Sequence, residues 1–271
     1  MAVTGVGQAI REALLIADTR AKVFAARQVA RDWRLGRLDF AFDCTMPDRP
    51  ARPDAPVLLP PNKVPNRRRG GSLAGRVAML HAFAHIEFVA IDLALDAAGR
   101  FGADMPRAFT TDWLGVAADE AMHFALLDRR LRALGSHYGA LPAHDGLWEA
   151  AAATADDLAA RLAIVPMVLE ARGLDVSPAT IARLEAAGDP ASARILGRIY
   201  ADEIRHVGVG SRWFRILAES AGLNPAAHWQ RIVRHRFRGS LKPPFNDSAR
   251  ESAGLPREYY EGVATLEPLG K

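Results

Sequence analysis

The sequence contains a single cysteine, Cys44, in 271 residues. One cysteine cannot form an internal disulfide or a thiolate cluster, so nothing in the sequence indicates an oxidising compartment. Residues 1–11 lack a basic region followed by an apolar run, and we expect no signal peptide. We also find no run of the roughly 18 apolar residues that a membrane span needs. These absences predict a cytoplasmic protein without a membrane partner.

Aromatic residues are few, at 7% of the chain, and no segment alternates polar and apolar residues for long enough to predict a strand. Alanine is abundant, and it favours helices because it loses no side-chain entropy in them. About half of the residues are hydrophobic, which allows a sizeable core. The composition therefore predicts an all-α fold.

The formal net charge is +4, and the excess is almost entirely arginine. Two basic clusters, Arg67–Arg69 and Arg231–Lys242, make RNA a candidate partner. However, Phe237 is the one aromatic residue inside the second cluster, and Trp229 lies just before it. Nucleic-acid enzymes usually carry more aromatic residues on which bases can stack. We expect solvated helix faces and no nucleic-acid partner.

Proline and capping residues divide the chain into four segments. Seven prolines fall between residues 43 and 66, where they disfavour helix. We expect N-terminal helices over 1–42, a proline-rich extended arm over 43–71, a four-helix bundle over 72–222, and C-terminal helices with a tail over 223–271.

Start and stop signals predict the helix boundaries. Asp18-Thr19 divides a helical region over 5–35, and Ser72 begins a helix that runs to Ala98 and is followed by Gly99. Thr111 or Asp112 begins the next helix, which ends before Gly135. The later helices are expected at 147–172 (stopped by Gly173), 177–187, 189–221, 225–238, 248–253 and 256–266.

The same six-residue pattern, Ala-Asp-Glu-x-x-His, occurs at residues 118–123 and 201–206. It places Glu120 with His123, and Glu203 with His206. Residues three apart share one face of a helix, so each pair can bind one metal ion from a bundle core.

Each pair has a glutamate 33 residues upstream, Glu87 before Glu120 and Glu170 before Glu203. In a helical hairpin that turns halfway, both members of such a pair lie at the same level. The turn near Gly99 predicts this for Glu87. For Glu170 the level is inferred from the repeat, because Gly173 and the helix at 177–187 interrupt the path.

Apolar residues surround these glutamates, and unpaired carboxylates are costly to bury. Two divalent cations would remove that cost. Four carboxylates and two imidazoles suit iron or manganese better than zinc. We expect two iron ions, with manganese or a mixed Mn/Fe pair as alternatives.

Three further residues are candidates for a supporting shell around the metals. Asp119 and Asp202 each precede a ligand histidine by four residues, so each could accept a hydrogen bond from its outer nitrogen. A solvated or salt-bridged aspartate explains them equally well. Tyr200 lies one turn before Glu203, where it is either an ordinary buried tyrosine or a residue beside the metals.

The six ligand positions resemble those of the ferritin-like di-iron carboxylate superfamily, in which two helices each give a Glu and two each give a Glu-x-x-His. More narrowly, the chain resembles a bacterial ferritin-like family catalogued as domain of unknown function 455. The segments that carry this resemblance are 81–87, 142–149, 165–175 and 210–214. The resemblance implies a ferritin-like four-helix bundle with a metal site, and it names no substrate.

Three functions stay open at this point. The first is an O₂-dependent oxidase or oxygenase acting on a small molecule, with an unknown electron donor. The second is an iron-handling protein, either a ferroxidase or a peroxide scavenger, and the third is a binding protein with structural metals. A tRNA hydroxylase is a variant of the first. The oligomeric state is also open, a homodimer included.

Overall fold

A computed structural model describes residues 4–64 and 72–264, and all regular secondary structure in these ranges is helical. Contacts divide the chain into two compact units, Met1–Ala152 and Ala153–Lys271. The all-α prediction is confirmed. The basic cluster Arg67–Arg69 lies outside the described residues.

The first unit is built on a long antiparallel helical hairpin. A 3₁₀ turn at Gly102–Asp104 joins its two helices. Two shorter helices pack on the hairpin, one on each of its long helices, and a fifth helix follows it. In chain order the helices are α1 (Val6–Leu14), α2 (Thr19–Arg34), α3 (Leu73–Phe101), α4 (Arg107–Ala133) and α5 (Gly146–Ala152).

Local caps set several of these boundaries. The Asp18 side chain accepts a hydrogen bond from the Ala21 amide at the start of α2, and Ser72 does the same with Gly75 at the start of α3. Both caps were predicted and both are confirmed. They satisfy amides that have no partner inside the helix.

The predicted start of α4 at Thr111 or Asp112 is wrong. The helix begins at Arg107, after Pro106, and Thr111 lies inside it. The Thr111 hydroxyl donates to the Arg107 carbonyl one turn earlier, and it accepts from the Trp33 ring nitrogen. A threonine inside a helix can donate its hydroxyl to the carbonyl four residues earlier, so Thr111 does not have to cap a helix start.

The proline-rich segment of residues 43–64 is tied to the first unit. Its backbone forms two hydrogen bonds with Ala143: the Ala143 amide donates to the Val57 carbonyl, and the Leu59 amide donates to the Ala143 carbonyl. Arg100 also donates to the Pro47 carbonyl. The described part of this segment contains one short 3₁₀ turn, Pro61–Lys63.

The second unit contains a second helical hairpin followed by short helices. Its elements are α6 (Leu158–Ile164), a π-helical segment (Val165–Glu170), α7 (Ala171–Ala186), α8 (Pro190–Ser220), α9 (Pro225–Arg236), α10 (Asp247–Ser252) and α11 (Arg257–Tyr260). The predicted start of α8 at Asp189-Pro190 is confirmed, because Asp189 caps the Ser192 amide.

The predicted helix over 147–172, its stop at Gly173 and a new start at Ser177-Pro178 are wrong. Helix breaks after Ala152, and α7 runs through both Gly173 and Pro178. A proline inside a helix leaves the carbonyl four residues earlier without its usual donor. Here that carbonyl belongs to Leu174, and it accepts a hydrogen bond from Asn246 Nδ2 at 3.1 Å. The side-chain amide replaces the missing backbone donor.

Among the described residues, helix α3 is the one helix that is both long and apolar enough to cross a membrane. It holds an 18-residue window with a mean hydropathy of 1.6, which by length and composition could cross a membrane, although 72% of that window is buried. The sequence reasoning expected no helix of this kind, because acidic residues interrupt the apolar run in α3. Its burial is that of a core helix, consistent with a soluble protein.

Candidate metal centre

Three of the predicted ligands converge in the first unit. His123 Nδ1 lies 3.1 Å from Glu87 Oε2 and 3.3 Å from Glu120 Oε2. Glu87 comes from α3, while Glu120 and His123 lie one turn apart on α4. All three side chains are buried. One imidazole nitrogen therefore faces two carboxylates in a protected position.

The turn between α3 and α4 explains why Glu87 and Glu120 meet. The midpoint between these positions falls inside the 3₁₀ turn Gly102–Asp104. Each glutamate therefore lies nearly the same number of residues from the turn. At about 1.5 Å of rise per residue, both reach the same level of the hairpin.

The negative charge of the two carboxylates in this trio favours a bound cation. Burial alone would lower the pKa of His123, but the hydrogen bonds that its ring donates to the carboxylates of Glu120 and Glu87, and the charges of both, outweigh it and raise the pKa to about 11. The two carboxylates thus hold a proton on the ring. A divalent cation between the same atoms would take the place of that proton, so metal binding and protonation compete.

The second unit presents the other glutamate–histidine pair on α8. His206 Nδ1 lies 3.6 Å from Glu203 Oε1, one turn away, and both residues are buried. Glu170 is the last residue of the π-helical segment and is half-buried. The midpoint between Glu170 and Glu203 falls at the end of α7, so this hairpin repeats the register of the first.

The π-helical segment Val165–Glu170 was not predicted. A π turn widens the helix, and such segments are frequent at functional sites. The Pro166 ring packs against Gly210 of α8 so closely that a Cβ on Gly210 would lie 2.4 Å from Pro166 Cγ. Glycine at 210 therefore permits the approach of α8 to the segment that ends at Glu170.

Glu87, Glu120 and His123, which all belong to the first unit, could hold a metal ion, because each offers one ligand atom and these atoms lie within 4.8 Å of one another. The predicted ligands of the second unit, Glu170, Glu203 and His206, stay predictions.

The predicted supporting residues have varied surroundings. Asp119 is half-buried on α4. Asp202 forms an ion pair with Arg198, at 2.6 Å between Oδ2 and Nε, and the hydroxyl of Tyr200 accepts from Asn246 Nδ2 at 3.0 Å. Their roles toward the histidines stay predictions.

Two histidines of α3, His81 and His85, form hydrogen bonds with the loop after α4. His81 Nε2 accepts from the Gly139 amide at 2.9 Å. His85 Nε2 donates to the His144 carbonyl, which leaves its Nδ1 to accept from the Tyr138 hydroxyl at 2.9 Å. The motif containing His81 and His85 therefore fixes a loop beside the helices that carry the ligands.

Sequence reasoning missed a buried ion cluster in the first unit. Lys22 of α2 donates to Asp92 of α3 at 2.7 Å, and Arg52 lies 3.1 Å from the other oxygen of Asp92. Lys22 and Asp92 are fully buried. The available signal was Asp92 itself, an acidic residue in the apolar run Ala90–Leu95.

The fold and these contacts define an all-helical protein with a buried glutamate–histidine cluster that could hold a metal. The family model described as protein of unknown function, DUF455, matches residues 15–261, and the chain belongs to that family. An uncharacterized protein of Haemophilus influenzae is 41% identical over 224 residues, which cover 80% of this chain and 77% of that relative. No solved structure matches the chain.

Proposed function

We propose that residues 72–222 form a ferritin-like four-helix bundle that holds two iron ions, and that the protein is an O₂-dependent oxidase or oxygenase acting on a small molecule. The observation that carries the proposal is the placement of His123 Nδ1 between the buried carboxylates of Glu87 and Glu120. Even with the imidazole ring protonated, the two buried carboxylates leave a net negative charge, which is costly to bury without a further cation.

The repeated register of the two hairpins supports a two-ion site. Each hairpin turns at the midpoint between its two glutamates, and each carries a histidine one turn after the second glutamate. The pair Glu120–His123 would serve one ion and the pair Glu203–His206 the other. Glu87 and Glu170 would complete the set.

The donor atoms fit iron. All six are carboxylate oxygens or imidazole nitrogens, and the single cysteine, Cys44, belongs to the proline-rich arm. Structural zinc sites have four ligands and commonly use sulfur, whereas carboxylate-rich sites with imidazole suit iron or manganese. Manganese or a mixed Mn/Fe pair is the alternative loading.

The chain's own residues would position and protect the ions. A bound iron pair supplies the reduction of O₂ and the oxidation of the substrate, with electrons from a donor still to be identified. The carboxylates of Glu87 and Glu120 would balance the cation charge, and His123 would bind once its ring proton is displaced. The buried surroundings would exclude bulk water.

The chain's additions beyond the bundle favour an enzyme over an iron-handling protein. A ferroxidase or peroxide scavenger needs neither a proline-rich arm nor the helices after Ser220. In the second unit these additions are anchored, since Arg250 forms a buried ion pair with Asp175. We therefore place the iron-handling function second.

A tRNA hydroxylase has less support. Several basic side chains of α9 already have partners within the second unit. Arg236 pairs with Asp156 and Asp157, and Arg234 donates to the Gly262 carbonyl. A phosphate backbone would have to compete with these contacts.

Oxygen uptake by the reduced, iron-loaded protein tests the proposal. We expect rapid O₂ consumption that stops at the equivalent of the bound iron when no substrate is present, and that is lost in Glu120→Ala. Continued uptake with excess Fe²⁺ and accumulation of a ferric mineral would establish iron handling instead. Absence of uptake in a fully loaded protein would contradict both functions.

A further inference from the structure

A groove with a basic rim and an apolar floor lies between α2 and α4 in the first unit. Its volume is about 500 Å³, within the range of about 300–1,000 Å³ that is usual for small-molecule sites. It contains none of the predicted metal ligands. Its lining residues are Arg20, Val23, Phe24, Arg27, Phe124, Ala125, Asp128, Arg129 and Arg132.

The spacing of these residues shows two facing stripes. On α2, Arg20 and Arg27 lie two turns apart with Val23 and Phe24 between them. The α4 stripe has the same spacing, from Ala125 through Asp128 to Arg132. Residues separated by three, four and seven positions share one helix face, so both helices direct a mixed apolar and basic face into the groove.

The charge of the groove is unbalanced. Four guanidinium groups face one carboxylate, and that carboxylate is already engaged, because Asp128 accepts from Arg132 at 2.9 Å and from the Tyr138 amide at 3.1 Å. Within the described residues, Arg20, Arg27 and Arg129 form no hydrogen bond or ion pair. Three guanidinium groups are thus available to a ligand.

The floor of the groove is apolar and partly open to solvent. Val23 and Phe124 are buried, while Phe24 is 63% exposed on α2 between Arg20 and Arg27. A large aromatic side chain exposed beside unpaired cations gains from a partner that is both apolar and negatively charged. Guanidinium groups recognise carboxylates and phosphates through paired hydrogen bonds.

We propose that this groove is a binding site for a small amphipathic anion, with an alkyl or aryl body on Val23, Phe24 and Phe124 and a carboxylate or phosphate head held by Arg27 and Arg129. The charge favours an anion over a neutral compound. The concave shape and limited volume favour a single small molecule over a macromolecular surface.

Isothermal titration calorimetry on the iron-loaded full-length protein tests the site. The probes are octanoate, octyl phosphate, octanol and inorganic phosphate. We expect one or both octyl anions to bind at least about tenfold more tightly than octanol or inorganic phosphate, because only they satisfy both the floor and the rim. The tighter of the two anions identifies the head group.

Matched variants locate the binding. Arg27→Gln with Arg129→Gln should weaken anion binding about tenfold or more, whereas Arg31→Gln with Arg34→Gln removes the same charge from α2 outside the groove and should have little effect. Phe24→Ser should weaken the octyl anions and leave the melting temperature nearly unchanged. Equal losses from both double variants, or no binding of any octyl anion, would overturn the proposal. Binding to phosphatidylglycerol vesicles without binding of octyl phosphate would overturn it in favour of a membrane surface.

Discussion

His123 Nδ1 lies 3.1 Å from Glu87 Oε2, although the two residues come from different helices and stand 36 positions apart in the chain. Glu120 approaches the same nitrogen from one turn away. This contact between α3 and α4 is the structural core of the proposed metal site, and its consequences can be measured.

Replacing a metal ligand should reduce iron binding more than replacing a neighbouring aspartate. We expect Glu120→Ala and Glu203→Ala to lose bound iron, because each removes a carboxylate that binds the ion. Asp119→Ala and Asp202→Ala should weaken affinity by only about 10–100-fold, the usual effect of an outer hydrogen-bond partner. Iron content after anaerobic loading and desalting measures the difference. An equal loss of bound iron in all four variants would show that the metal ligands and the supporting aspartates are wrongly assigned.

A methyl group at Gly210 should disturb the segment that carries Glu170. The added Cβ would meet the rigid Pro166 ring, so Gly210→Ala should destabilise the protein by about 1–3 kcal/mol and lower its iron content. Gly197→Ala is the matched control on α8, because a Cβ there meets nothing within 4 Å. It should stabilise the helix by up to about 1 kcal/mol. Urea unfolding compares the variants, and equal behaviour of the two would contradict the close packing.

The loss of stability caused by Asn246→Ala should depend on whether residue 178 is proline, because both residues determine which group donates to the Leu174 carbonyl. Asn246→Ala removes the donor to Leu174, the hydrogen bond to Tyr200 and the cap of α10. It should lower the free energy of unfolding by about 2–3 kcal/mol. In a Pro178→Ala background, the restored backbone amide can bond Leu174, so the same change should cost about 1 kcal/mol less.

Asn224→Ala is the control for that cycle. Asn224 caps α9 by accepting from the Ala227 amide and has no contact with Leu174. Its loss should cost about 1 kcal/mol in either background. Additivity between Asn246→Ala and Pro178→Ala would contradict the replacement of the missing backbone donor.

His81 should make the protein less stable in mild acid. Burial, with a smaller contribution from His137, lowers the pKa of His81 to about 4. The unfolded chain therefore binds a proton that the folded state rejects, so stability is full above about pH 6.5 and falls as the pH drops toward 4. His81→Gln should reduce the slope of melting temperature between pH 7 and 5.

The buried His85, whose pKa burial also lowers to about 4, should keep part of that slope in the variant. His235→Gln, at an exposed position on α9, is the control and should leave the slope as in the parent protein. A slope unchanged by His81→Gln would show that this histidine is protonated without cost in the folded state.

Local chemistry explains which parts of the fold were predictable from sequence. Asp18, Ser72 and Asp189 cap helices through residues three positions away, and the Glu-x-x-His spacing depends on one helical turn. The 33-residue spacing extends this reasoning to a whole hairpin, because rise per residue is constant.

Several errors and omissions came from partners that are distant in sequence. Pro178 lies inside a helix because Asn246 supplies a donor from 72 residues beyond Leu174. The close approach of Pro166 to Gly210 and the pairing of Lys22 with Asp92 likewise join separate segments. Neither is encoded in a local pattern, so the π-helical segment and the ion cluster needed the structure.

The most direct test of the two-ion claim is anomalous X-ray scattering from crystals of the iron-loaded protein, measured on both sides of the iron absorption edge. We predict two iron peaks about 3.5–4 Å apart, the spacing usual in two-metal sites. Glu87, Glu120, His123, Glu170, Glu203 and His206 should all lie within bonding distance of them. A fully loaded crystal with a single peak, or with iron bound elsewhere, would contradict the account.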